Sequence, residues 1–424
     1  MLIFMMRLVI AVLASMTAGV LAIAPILYQD HPNSVANNYL VVMKKGSEMG
    51  LVQAHYDSVK SVSSLGDLRG FVRDFQIGDF SGYHVECNDA TVEDIRKHDL
   101  VHYVTPDKTV SVQSLPVGMG HLTPEMFDTP WGLSRISHRL PNTTGYVDVD
   151  DSQLNVLPSK AYVIDTGIRT THLEFRYGRA VWGTNFVVNS TDDDEAGHGT
   201  HVAGTIMGAM VGVDNTTIAV AVKVLNENGT GLVSDIIKGL EWSVSDARNT
   251  SSITRSVVNM SLGGPGADQF TNDAIAAAVS AGMTVVVAAG NNNTIACDWS
   301  PASSEYAIVV GAIDDHDVRA EYSNYGDCID IFAPGSNVLS SSHDSDQSYA
   351  SLSGTSMSSP HVAGLCAYLI SREGLDTPQR VRERLIELAT KDMVTNANST
   401  ANFIAFNGNP GEIEQSVPET VVSV

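Results

Sequence analysis

The chain has 424 residues, 43% apolar and 17% charged, with 48 acidic against 25 basic side chains and a net charge of −23. That composition belongs to a globular protein and excludes a nucleic-acid partner, because phosphate neutralisation needs an excess of Lys and Arg. It fits a soluble monomer with one large core and room for a smaller second domain. At the N-terminus, Arg7 is the only charge before an apolar run over residues 8–24 that ends in small side chains. This is the pattern of a secretory signal, cleaved after Gly19 or Ala24; an uncleaved anchor is the alternative, near the lower length for a span. No later segment is long and apolar enough to cross a membrane, so the mature protein is expected to be extracellular.

Residues 38–112 read as an independent unit. "NNYLVVMKK" is strand-like, a helix follows over about 48–62, and "GFVRDFQIG" and "GYHVECN" read as two further strands. "DATVEDIRKHDL" predicts a helix with Asp89 ahead of it and Glu93 in its first turns, and "VHYVTPDKTVSV" closes the unit as a strand. The order β-α-β-β-α-β is the ferredoxin-like α+β pattern. Residues 113–128 carry Pro and Gly with little periodicity and read as a linker.

From residue 129 to 409 the signal changes. "AYVIDTG", "IAVAVKVL", "SVVNMSLGG", "TVVVAAGN" and "YAIVVGAID" are continuous apolar runs, as strands buried on both faces require. The helical stretches "GTHVAGTIMGA", "SDIIKGLEWSVSDA" and "TNDAIAAAVSAG" separate them, which predicts an α/β fold with a mostly parallel sheet and helices on both faces. The acidic residues 410–424 read as a flexible tail. Secretion permits disulfides, and a bridge between the loop cysteines Cys297 and Cys328 would close about 30 residues and stabilise by roughly 3 kcal/mol. Cys366 reads as a buried thiol, Cys87 falls in the N-terminal unit, and no CxxC or Cys/His cluster points to zinc.

The stretch "LSGTSMSSPHVAG" (352–364) packs hydroxyl residues ahead of Pro360, which predicts a helix starting through that proline. Ser356 is then either an N-cap or a nucleophile whose oxyanion would meet the free N–H groups of the helix start. Ligands of open α/β sheets lie at the carboxyl ends of strands. There Asp165 ends one run, Asn291 ends another, and His198 in "DDDEAGHGTHVAGT" precedes a helix. Singly, each is as well explained as a turn, cap or core residue, and a metal site on His198 and His201 lacks the HExxH pattern. Jointly, Asp165, His198 and Ser356 supply an orienting acid, a base and a nucleophile.

"VIDTGI", "HGTHVAGT", "SLGG", "AAGN" and "GTSMSSPHVAG" together resemble the subtilisin-like serine proteases, whose Asp, His, Ser order the chain shares. "PWGLSRIS", "YSNYGDCIDIFAPG" and "NFIAFN" narrow the resemblance to the proteinase K-like branch, over about 129–407. Residues 38–112 resemble the same family's inhibitory prosegment. The resemblance implies a triad of Asp165, His198 and Ser356, with Asn291 in the oxyanion hole. It implies an extended peptide substrate held by Gly229, Gly231, Leu232 and Val233 on one side and Ser261, Leu262 and Gly263 on the other. Gly263, Ala288 and Gly290 would line an open apolar pocket for hydrophobic or aromatic side chains, with no clustered acids to select paired basic residues. It also implies a structural calcium on the Asp330 carboxylate and the carbonyls of Glu305 and Ala307.

The acidic stretch 190–197 reads instead as a solvated loop. The chain departs from the branch at Val202, where a cysteine is frequent, and in a longer surface insertion over 141–158. Eight sequons occur, of which Asn228 and Asn292 flank the cleft and Asn259 falls in a core strand, making these three poor acceptors. The expected function is a secreted serine endopeptidase of broad specificity. It is made as a self-processing zymogen inhibited by its own prosegment, released between about 111 and 120, with no cofactor needed for the chemistry. A narrow-specificity processing protease and a catalytically silent peptide-binding homologue are the alternatives.

Overall fold

The computed structural model describes residues 23–62, 70–116, 128–141, 143–147 and 157–413. Residues 1–22 of the signal, most of the linker, much of the 141–158 insertion and most of the acidic tail lie outside the described residues. Among those described, no helix is long and apolar enough to cross a membrane.

The N-terminal unit comprises β1 (Ser34–Met43), α1 (Met49–Val62), β2 (Gly70–Ile77), β3 (Phe80–Glu86), α2 (Asp89–Ile95) and β4 (Val101–Val112), followed by the short β5 (Leu115–Pro116). Its strands run antiparallel in the order β4-β1-β3-β2. Side chains alternate across a strand, and the sheet uses both faces. Val41 and Met43 pack with the unit's own helices, while Leu40 and Val42 join the core of the larger domain. The cap of α2 is Asn88 rather than Asp89: Asn88 holds the extended backbone a cap needs, and its side chain accepts from Thr91 N at 3.0 Å.

The larger domain follows as α3 (Trp131–Ser137), β6 (Lys160–Asp165), β7 (Ala180–Asn185), α4 (His198–Met207), β8 (Ile218–Lys223), β9 (Thr230–Leu232), α5 (Val233–Asn249), β10 (Ser256–Met260), β11 (Leu262–Pro265) and α6 (Gln269–Ser280). Next come β12 (Thr284–Ala288), β13 (Trp299–Ser300), β14 (Ile308–Ile313), β15 (Ile331–Pro334), β16 (Val338–Ser341), β17 (Tyr349–Ser353), α7 (Thr355–Glu373), α8 (Pro378–Leu388), β18 (Thr390–Lys391) and β19 (Phe403–Ile404). Nine of these strands form a sheet ordered β18-β19-β15-β14-β12-β10-β6-β8-β7, parallel except at the β18–β19 edge. β10, β12 and β14 are buried along their whole lengths, which is why they read as unbroken apolar runs. One core lies between the sheet and α4, α7 and α8, the other between the sheet and α5 and α6.

Strand order reverses between β6 and β10, and open α/β sheets bind ligands at such a switch point. Asp165 ends β6, and Ser261 directly follows β10. The helix carrying Ser356 begins at Thr355, so Pro360 lies inside α7 and not at its start. Proline leaves the carbonyl four residues back without its helical donor. That carbonyl belongs to Ser356, and it accepts instead from Ser261 Oγ at 2.9 Å. Cys297 and Cys328 form a disulfide with a Cα–Cα distance of 5.3 Å, and Cys87 and Cys366 are buried free thiols.

Candidate active site

Asp165 and His198 meet at the switch point. His198 Nδ1 and Asp165 Oδ1 are 2.7 Å apart, both side chains are buried, and the same carboxylate oxygen accepts from Thr166 N at 2.7 Å. The chain leaves β6 through Gly167, at φ 114°, where a Cβ would come within 2.7 Å of the Asp193 carbonyl. His198 opens α4 from the stretch read as a solvated acidic loop, and here the structure differs. Asp194 is buried and accepts five hydrogen bonds: from Thr166 Oγ1, Ala196 N and Gly197 N on one oxygen, and from Thr200 N and Oγ1 on the other. A buried carboxylate needs such partners, and these tie the end of β6 to the start of α4. His201 Nε2 lies 3.1 Å from the carbonyls of both Val338 and Ala350, and burial pulls its pKa down to about 3.

Ser356 is the second residue of α7 and is fully buried. Its Oγ donates to the Ser261 carbonyl at 2.8 Å, and His198 Nε2 has no hydrogen-bond partner. The serine–histidine hydrogen bond is therefore not made in this state. Asn291 Oδ1 accepts from Thr355 N and Oγ1, both at 2.9 Å, which fixes the amide with its buried Nδ2 unpaired. An unpaired buried donor is costly, and oxyanion stabilisation uses donors set in advance.

The strand β4 of the N-terminal unit runs on into this site. It lies antiparallel between β9, pairing Thr109 with Leu232 and Val110 with Gly231, and β11, pairing Ser111 with Gly263 and Val112 with Leu262. Val112 N donates to Gly229 O at 2.9 Å and Gln113 N to Ser261 O at 3.2 Å. The Gln113 carbonyl accepts from Ser356 N at 3.1 Å, and its side chain donates to Gly263 O at 3.2 Å. Beyond it, Leu115 and Pro116 pair with Ser353 and Leu352 of β17. Gly354, which the sequence reading missed, is required here: at φ 152°, a Cβ would lie 2.4 Å from the Gln113 carbonyl.

Gly229, Gly231, Leu232, Ser261, Leu262 and Gly263 thus lie along one extended segment, while Ala288 ends β12 and Gly290 is two residues on. Val233 instead belongs to the buried core below the groove. The expected calcium donors do not fit an ion. Asp330 Oδ1 pairs with Arg382 Nη2, its Oδ2 accepts from Val309 N at 2.8 Å, and the Glu305 carbonyl accepts from Arg382 Nη1 at 2.8 Å; Ala307 is buried. Asp314, Asp315 and His316 bring ligand-type atoms within 4.8 Å of one another on a turn, but Asp314 already caps the amides of His316 and Val318.

A parallel sheet with an Asp–His pair and a serine at a helix start at its switch point is the architecture of a serine peptidase. A family model described as the subtilase family matches residues 161–405, and one described as peptidase inhibitor I9 matches residues 38–113. The chain is 39% identical over 377 residues to subtilisin-like protease 1 of Pseudogymnoascus destructans, covering 88% of this chain and 90% of that protein. It is 38% identical over 426 residues to subtilisin-like serine protease Pen c 2 of Penicillium citrinum, covering 91% of each. The crystal structure of a cold adapted subtilisin-like serine proteinase matches with a TM-score of 0.60 at 38% identity, covering 66% of this chain and 99% of that one. The chain belongs to the subtilase family. It is a serine peptidase preceded by a prosegment of the inhibitor type.

Proposed function

We propose that the protein is a secreted endopeptidase zymogen that cuts its own Gln113–Ser114 bond through an acyl-enzyme on Ser356. The observation that carries this reading is the Gln113 carbonyl, 3.1 Å from Ser356 N in the groove at the end of β4. The inhibitor-type match ends at the same residue, 113. The signal pattern over residues 1–24 and the Cys297–Cys328 disulfide support export.

In the reaction, the Ser356 side chain turns from the Ser261 carbonyl to His198 Nε2, which takes its proton as Oγ attacks the Gln113 carbonyl carbon. Asp165 holds the resulting imidazolium, and the oxyanion rests on Ser356 N–H and the amide of Asn291. Collapse breaks the bond to the Ser114 nitrogen, which takes the proton from His198. Water then cleaves the acyl ester by the same route. No cofactor enters any step.

Other substrates take the place of residues 109–113. Their backbone pairs with β9 and β11, so much of the affinity is independent of sequence. Beside Gln113 the groove is lined by Thr230, Gly263, Gly264, Asn291 and Trp299, without a carboxylate. This favours broad specificity, with hydrophobic or aromatic side chains against Gly263, Ala288 and Gly290, over selection of paired basic residues. The test pairs digestion of an unfolded protein with a peptide library. Broad cleavage by the matured wild type, absent in Ser356→Ala, is expected. A strict basic requirement establishes the narrow-specificity alternative, and a folded, released but inert wild type establishes the silent binder.

A further inference from the structure

We infer that Arg382 is a built-in cation that takes the place of a structural calcium in this chain. The guanidinium spans the two donors an ion would use: it pairs with Asp330 Oδ1 and donates to the Glu305 carbonyl at 2.8 Å. The other carboxylate oxygen accepts from Val309 N at 2.8 Å. Calcium needs six to eight oxygens at about 2.3–2.6 Å, and here the carboxylate and one carbonyl are already engaged by N–H donors.

Arg382 reaches the spot from α8, 52 residues beyond Asp330. That helix is anchored by Val381, Leu385 and Leu388 in the core shared with α7, so the guanidinium is delivered by a fixed element. Arginine suits the position because its charge is permanent and its planar fork can serve a carboxylate and a carbonyl together. A calcium ion entering the same donors would have to expel that cation or sit beside it. The arginine links α8 to β14 and β15, as a bridging ion would, and a chelator cannot remove it.

The test counts bound calcium per chain by equilibrium dialysis on the full-length Ser356→Ala protein, which cannot digest itself. Equal counts are expected for this parent and for the same chain with Asp330→Asn. Arg382→Met frees the donors and should bind one calcium more than the parent, a gain that Asp330→Asn abolishes. A parent that binds one calcium more than its Asp330→Asn variant overturns the inference. So does a folded Arg382→Met chain that gains none. If Arg382→Met does not fold, Arg382→Leu with circular dichroism as the folding check replaces it, with the same two outcomes.

Discussion

The Gln113 carbonyl accepts from Ser356 N and lies close against Gly354. Gly354 is there because nothing larger fits: a Cβ would stand 2.4 Å from that carbonyl oxygen on a backbone at φ 152°. Gly354→Ala should therefore leave the precursor uncut, seen as a full-length band where the wild type is processed; a matured variant would refute this. Asp194 acts at one remove, by fixing both Asp165's turn and the start of His198's helix through its five hydrogen bonds. Asp194→Asn replaces one accepting oxygen with a donor. It should lower kcat by about 10²-fold through misplacement, with KM little changed; steady-state kinetics on a small ester would show the split. Asp165, His198, Ser356 and Asn291 were legible as candidates because each sits in a motif at a strand or helix end. Asp194 was not, because three consecutive aspartates give no sign of which one turns inward. Arg382 was equally silent, since its partners lie 52 and 77 residues away in the chain.

The unbroken apolar runs of β6, β8, β10, β12 and β14 located the parallel sheet, because burial on both faces leaves no room for polar alternation. What the sequence could not reveal was where β4 ends up: a strand assigned to one unit completes the sheet between β9 and β11 of the other. Pro360 misled for a local reason, since the donor it lacks is replaced from outside the helix by Ser261 Oγ. Ser261→Ala removes that donor and should cost roughly 1–2 kcal/mol, read as a lower urea midpoint of the Ser356→Ala chain. The two units meet where β4 reaches α5. Asp107 is fully buried and accepts from Ser234 N at 3.1 Å at the start of α5. Burial pushes its carboxyl up to about 6, whereas an unfolded aspartate titrates near pH 4. The folded state then holds a proton the unfolded state lacks between those values, so this group's contribution is most favourable in acid and is lost as pH rises through about 6. Thermal melts of the Ser356→Ala chain should show the advantage of Asp107 over Asp107→Asn growing as pH falls from 7 to 4.5. A gap constant with pH would contradict this.

Across the whole molecule, the prosegment is bound by its surface as well as its tail. Phe75 and Phe80 pack on Phe270 of α6 at 5.1 and 5.5 Å, Tyr103 donates to Asp273 at 2.8 Å, and Arg73 pairs with Asp235. These contacts keep the strand in the groove, so inhibition is expected to outlast cutting of the chain. The catalytic domain has its own staple: losing the Cys297–Cys328 bridge, which closes 31 residues of chain, should lower stability by about 3–4 kcal/mol, measurable by urea unfolding of the double Cys→Ser variant. Self-cleavage at Gln113–Ser114 is tested most directly by the N-terminal sequence and intact mass of the matured protein, taken beside purified Ser356→Ala. A mature chain beginning at Ser114, a released piece ending at Gln113 and an uncut Ser356→Ala precursor are expected. A first cut at another bond, or processing of Ser356→Ala on its own, would contradict it.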